Sequence, residues 1–319
     1  MSLIQVSSGN GLIRDRWPNS IARIAQDVKE FEDMGFHETV PATFEALCRW
    51  AYVVIPTDRG ESARGYALLY QPADPSVIAT SRGRGVEVLI RFQGFLGQSN
   101  LKPLGNWKGR VHQLTPSSRT PDSAHKALQF IELKGGPFTA QMGAQISCVE
   151  RLRTFIFRQL LTTEDVALAE RTARPIGDSI SLQRRVFTKV HDGPESPPSV
   201  LTVMDDPNGL AARISRFWRV TSKLEFGKKT PTGSVERCNQ LEFVSGDFVD
   251  VFARVDITNA HTEHGVPTVK VFLTPMSVVR LCGAGDVAEV MGVESVNPIS
   301  QTISPLTGVV EPFVGLVFN

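Results

Sequence analysis

The sequence predicts an α+β fold, with antiparallel sheets of the β-sandwich or jelly-roll kind, helices inserted in the first half and strands dominating the second. Three observations predict it. Between residues 181 and 282, short β-branched or aromatic runs alternate with polar positions, the period-two pattern of half-buried strands. Two stretches of the first half, 21–35 and 140–173, instead repeat apolar residues at three- and four-residue steps. Regular alternation of strand and long helix is missing, which argues against a doubly wound parallel sheet.

The elements follow in chain order. Ile21, Ile24, Val28 and Phe31 form a helical stripe that Asn19 or Ser20 can cap and Gly35 can end. A second helix is expected over 41–54, with Phe44, Leu47, Cys48 and Ala51 on one face. Pro41 suits its first turn and Pro56 stops it. Residues 65–70 and 85–92 read as strands. The Gly, Pro, Ser and Asn of 94–121 predict a long surface loop, broken by a short strand at 111–115.

A helix capped by Asp122 is expected over 122–134, through Ala124, Leu128 and Ile131. Ile146, Val149, Leu152, Ile156 and Leu160 then make a helical stripe, with 154–157 readable as a strand instead. Thr162-Thr163-Glu164-Asp165 opens a fresh helix that ends by Pro175. Strands are expected at 181–190, 200–204, 216–226, 241–245, 248–257, 268–273 and 277–282. The turn-rich linker 191–198 divides a mixed region, 1–190, from a mainly β region, 199–319; one continuous domain is the alternative.

Composition narrows the class. Four cysteines in 319 residues exclude a disulfide-stapled miniprotein, and 41% hydrophobic content excludes a wholly disordered chain. No run approaches the roughly 18 apolar residues of a membrane-spanning helix. The polar, glycine-rich opening does not read as a secretory signal, so a reducing compartment is expected. Near-neutrality, 34 basic against 33 acidic groups, hides an uneven distribution. Residues 81–160 carry a net charge of +8, whereas 231–319 carry −6.

Arg82, Arg84, Arg91, Lys102, Lys108, Arg110, Arg151, Arg153 and Arg158 are therefore the candidate binding residues. Guanidinium forks match phosphate geometry, so a face built from them would hold RNA or an anionic membrane surface. Arg213-Ile214-Ser215-Arg216-Phe217-Trp218-Arg219 interleaves arginine with aromatics, which suits either base stacking or a core-facing Phe217 or Trp218. His261-Thr262-Glu263-His264 spaces its histidines three apart in a loop context and reads as polar surface rather than a zinc site. Gly283-Ala284-Gly285-Asp286 reads as a turn with Asp286 capping a short helix. Catalytic, metal and cofactor sites are not expected.

Phe95-Leu96-Gly97-Gln98-Ser99-Asn100-Leu101-Lys102 resembles a word in the matrix proteins of vesicular-stomatitis-type rhabdoviruses. Leu152-Arg153-Thr154-Phe155-Ile156-Phe157 is similar to one in the matrix proteins of rabies-type viruses. The resemblance implies a virion structural protein, placed in the virion and the host cytoplasm. With the charge pattern, it leads to a non-enzymatic, self-assembling matrix or coat subunit. Its partners would be copies of itself and RNA or anionic membrane. The alternative is a nucleic-acid-binding module of the movement or silencing type, and third an enzyme with dispersed site residues.

Overall fold

A computed structural model describes residues 3–5, 40–41, 43–54, 65–71, 86–109, 123–172, 176–190, 198–230, 235–261 and 267–290. Its helices are α1 (Phe44–Trp50), α2 (Thr139–Leu160), α3 (Thr163–Thr172), α4 (Leu210–Arg213) and α5 (Ala284–Val290). The strands are β1 (Leu3–Gln5), β2 (Ala51–Val54), β3 (Gly65–Tyr70), β4 (Val86–Glu87), β5 (Leu89–Asn100), β6 (Leu128–Lys134) and β7 (Ser179–Arg185). Then come β8 (Thr188–Lys189), β9 (Trp218–Arg219), β10 (Glu225–Lys229), β11 (Val235–Arg237), β12 (Phe248–His261) and β13 (Pro267–Cys282).

Eleven strands join one mixed, mostly antiparallel sheet, seven of them along the path β11-β10-β13-β12-β5-β6-β7 and β1 to β4 off it, and β8 and β9 form a separate ribbon. Only β10 and β13 pair in parallel among these strands. The fold is α+β and strand-rich in its second half, as the periodicities predict. Strands from both sides of the turn-rich segment 191–198 belong to this one sheet, since β12 pairs with β5.

The path is curled. β12 splits its free edge, pairing through 248–254 with β5 and through 256–258 with β3. At the other end β7 comes back beside β13 without pairing with it. Five strands, β13-β12-β5-β6-β7, thus wrap an open barrel. Val249, Val251, Ala253, Val255 and Ile257 of β12 enter its core beside Ile90 and Phe92 of β5 and Leu182 of β7.

Helix α2 packs against this open barrel. Val149, Leu152, Phe155 and Ile156 deliver its apolar stripe to the same core. One turn earlier, the buried Gln145 does a strand's work. Its Oε1 accepts from the Gln93 backbone N–H at 2.9 Å and its Nε2 donates to the Gln93 carbonyl at 2.8 Å. These are edge groups of β5 that β6 does not reach, because pairing with β6 begins at Phe95. Replacing Gln145 with leucine strands both groups in the interior. A loss of about 2–4 kcal/mol in unfolding free energy is expected, read as a lower urea midpoint.

Several local expectations give way. The helix expected over 41–54 is only α1, capped by Thr43, whose Oγ1 accepts from the Ala46 N–H at 3.2 Å; the β-branched end of that stretch continues as β2. Residues 128–134, expected helical, form β6, because Gln129, Ile131 and Leu133 alternate inward at period two; only Ser123–Lys126 keep a 3-10 turn. β5 continues to Asn100 where a loop is expected. Residues 154–157 are helical, within α2.

In the second half, 200–204 is irregular and enters a turn at 203–205, and 241–245 overlaps a 3-10 turn, Gln240–Glu242, boxed by Asn239 and Glu242. The stretch 216–226 splits into β9 and the start of β10. Residues 268–282 are one strand, not two. A bulge opposite Phe252 and Ala253 accommodates Pro275. Asp247, not Asp286, meets the first backbone N–H of α5, at 2.9 Å from Ala284. The helix expected at 21–35 and the strand at 111–115 lie outside the described residues.

Candidate nucleic-acid interface

A second, smaller core sits apart from the barrel. Trp107, Ala124, Ala127, Val186, Phe187, Ala211, Ile214 and Val220 bury one another there. Trp107 and Phe187 meet edge-on, with ring centroids 4.9 Å apart. The layer around this core draws on 101–109, 123–127, 185–190 and 198–224, segments far apart in sequence.

The first segment is pinned to the barrel. The Gln129 amide donates to the carbonyls of Leu101 and Lys102 at 3.3 and 2.9 Å. Asn106 donates its N–H to the Leu128 carbonyl and accepts the Leu128 N–H on Oδ1. Gly105, at φ 58°, passes so close to that carbonyl that any Cβ would collide with it.

The layer is strongly cationic. Among the described residues of these segments it carries Lys102, Lys108, Lys126, Arg185, Lys189, Arg213, Arg216, Arg219 and Lys223 against Asp205 and Asp206, while Asp256 of β12 also acts on Arg185. Asp205 and Asp206 are both engaged locally. Asp206 accepts the Leu210 and Ala211 N–H groups at 2.8 Å each, capping α4. Asp205 pairs with Lys223 and accepts both the N–H and the hydroxyl of Thr202 at 2.7 Å.

Partial burial pushes the Asp205 carboxyl up, but the hydrogen bonds from Lys223 and Thr202 outweigh it and hold the group below its usual range. Such a depressed carboxyl stabilises the fold above its unfolded value, and that contribution is lost as pH falls through the folded value. Asp205→Asn is therefore expected to lower the urea midpoint at about pH 7, with the difference shrinking as acid protonates the Asp205 carboxyl.

Seven of the nine cations are exposed: all but Arg219 and Lys223. Among them lies Phe217, 52% exposed, with the Arg216 guanidinium 5.7 Å from its ring centroid. Asn106, Trp107, Lys108, Ser123 and Lys126 line a groove of about 350 Å³ in the same layer. Barrel strands adjoin it. On the side of β6 and β7 away from the core, Leu128 faces Arg185 and half-buried Phe130 faces Gln183.

Behind this surface Arg184 is buried and donates to Ser222 Oγ at 2.5 Å. Burial pushes its guanidinium below the ordinary value, with Arg254 adding to the effect and Asp256 opposing it.

The sequence candidates divide. Lys102 and Lys108 belong to the cationic layer. Arg151 and Arg158 share a separate groove on α2, and Arg153 lies off that groove. Arg91 is a correction: it is 0% exposed and ion-paired with Asp250 inside the sheet, so it reaches no polyanion. Arg82, Arg84, Arg110 and His264 lie outside the described residues, and His261 ends β12.

Sequence reasoning missed Lys126, Arg185, Lys189 and Phe130 as surface contributors. The arginine–aromatic run at 213–219 was the available signal for the layer. It serves both roles, since Trp218 packs on the small core and Phe217 stays in solvent.

Neither a protein-family model nor a curated protein sequence matches this chain. Among solved structures, it is similar to a C-terminally truncated form of the single-stranded DNA-binding protein from bacteriophage Enc34. The match has 11% identity and a TM-score of 0.30, and covers 70% of this chain and 92% of that one.

Proposed function

We propose that this protein binds single-stranded nucleic acid through the cationic layer and the adjoining outer face of β6 and β7. The observation that carries the proposal is the gathering, among the described residues of these segments, of nine basic against two acidic side chains around one small core, with Phe217 exposed among them. Cations supply counterion release, and an exposed aromatic supplies a stacking platform that every base can use.

Topology supports the same reading by analogy of fold. A meander, β5-β6-β7, is followed by the hairpin β12-β13, with β12 beside β5 and β13 beside β7. That is the order of an OB-fold, a partly open five-stranded barrel. Such barrels bind oligonucleotides on their second and third strands and on the loop joining the first two. Here those parts are β6, β7 and the segment between β5 and β6, which holds Lys102, Lys108 and Lys126.

The test is fluorescence anisotropy with a labelled single strand and its duplex across a salt series. Binding should favour the single strand by about tenfold. Its logarithmic salt slope should be about −0.7 per phosphate contacted. Equal affinity for duplex, or no binding at low salt, overturns the proposal.

Self-association would use another surface. Among the described residues the edge strand β11 pairs only with β10, and Val235, Leu241 and Val244 lie exposed around it. Sedimentation of the same samples reads that second activity, with a concentration-independent monomer counting against it.

A further inference from the structure

The groove between α1 and α2 has chemistry of its own. Ser147, Arg151, Thr154 and Arg158 recur at steps of four, three and four, which places them in one stripe along α2. Opposite them α1 contributes Phe44 and Leu47, and the open groove measures about 400 Å³. Glu150 is the one acidic group in its lining, against two guanidiniums.

Phe44 is 38% exposed, although an apolar residue at a helix start could have turned fully inward. Its ring is backed by Phe155 at 5.8 Å and carries the Arg158 guanidinium 5.1 Å from its centroid. Arg158 is itself exposed, so this guanidinium–ring pair lies at the surface. Arg151 adds an Nε shielded from water that has no hydrogen-bond acceptor among the described residues.

We infer that this groove seats one nucleotide of a bound strand, its base stacked on the Arg158–Phe44 pair and its phosphate taken by Arg151. The inference rests on the nucleic-acid reading above and adds a contact remote in sequence from the cationic layer. Planar bases stack on guanidinium planes and aromatic rings alike, and a guanidinium fork matches a phosphate. The hydroxyls of Ser147 and Thr154 flank Arg151 along the stripe and suit sugar or phosphate oxygens. An acidic peptide would satisfy the two arginines but leave the flat stack without a planar partner.

The test uses the full chain, irradiated with a single strand carrying 5-iodouridine, with adducts located by mass spectrometry. Adducts are expected on the peptide holding Phe44 as well as on those holding Phe217 or Phe130. Arg158→Gln and Arg151→Gln should each lower the Phe44 adduct by about tenfold and leave the others unchanged. Arg158 is exposed and Arg151 half-buried, and glutamine has good helix propensity at both, so the helix should persist, which circular dichroism checks.

Adducts at Phe217 or Phe130 without any at Phe44 overturn the inference and leave the function standing. A Phe44 adduct indifferent to both glutamine variants also overturns it. Loss of all binding and all adducts overturns both readings. If an acidic peptide, and not the oligonucleotide, protects the exposed Cys48 of α1 from alkylation, the groove belongs to a protein partner and the inference fails.

Discussion

Arg91→Met is expected to cost about 3–5 kcal/mol of unfolding free energy, a large part of the roughly 5–15 kcal/mol that holds a domain together. Arg91 sits in β5 with no exposed surface, and its Nε donates to Asp250 Oδ2 of β12 at 2.6 Å. Nη2 bonds the same oxygen, and the guanidinium carbon lies 5.7 Å from the Phe252 ring. Asp250 is equally buried.

Two charges inside the sheet tolerate each other's company at a desolvation cost. Removing only the cation leaves a carboxylate that water cannot reach. Removing both leaves no such charge, so Arg91→Met combined with Asp250→Leu should recover most of the stability lost. Urea unfolding of the parent, both single variants and the double variant closes the cycle. A single-variant cost under about 1 kcal/mol, or a double variant as weak as the singles, would show that the pair does not hold these strands together.

The second large effect concerns binding. Lys108, Lys126, Arg213 and Arg216 are exposed and join the layer from three different segments. Converting all four to glutamine should weaken single-strand binding about a hundredfold near 0.1 M salt. The magnitude of the salt slope should fall by about 0.7 for each phosphate contact removed. Melting temperature should barely move, because exposed charges away from buried partners contribute little to stability. Phe217→Ala should cost about tenfold with the slope unchanged, separating stacking from charge. A quadruple variant that keeps both its affinity and its slope would place the strand elsewhere.

Legibility in the sequence followed the range of the forces involved. The alternating valines of 248–257 announce β12 because side-chain direction in a strand is a local property. Thr162 announces α3 for the same reason: its hydroxyl accepts the Asp165 N–H three residues on. β6 was misread because Ala124, Leu128 and Ile131 satisfy a helical step while Gln129, Ile131 and Leu133 satisfy a strand step. Only pairing with β5 and β7 decides between them.

Arg91 was unreadable as a buried ion, since its carboxylate lies 159 residues away. Charge counted in blocks misled similarly. The most basic block, 81–160, contributes Lys102, Lys108 and Lys126 to the cationic layer, while the other six cations come from 185–223, where the sequence block is nearly balanced. Asp205 and Asp206 supply part of that balance on paper and are spent on a neighbouring lysine and a helix start.

Gly105 carries a consequence for how quickly a ligand could be captured. With the Gly105 backbone wedged against β6, and Trp107 sunk in the small core two residues on, the stretch bearing Lys102 and Lys108 is packed in place before anything arrives. If the proposed binding holds, encounter at Lys102 and Lys108 should demand no ordering of that stretch, leaving arrival to diffusion and long-range attraction. Differences among bound sequences would accordingly emerge in residence time.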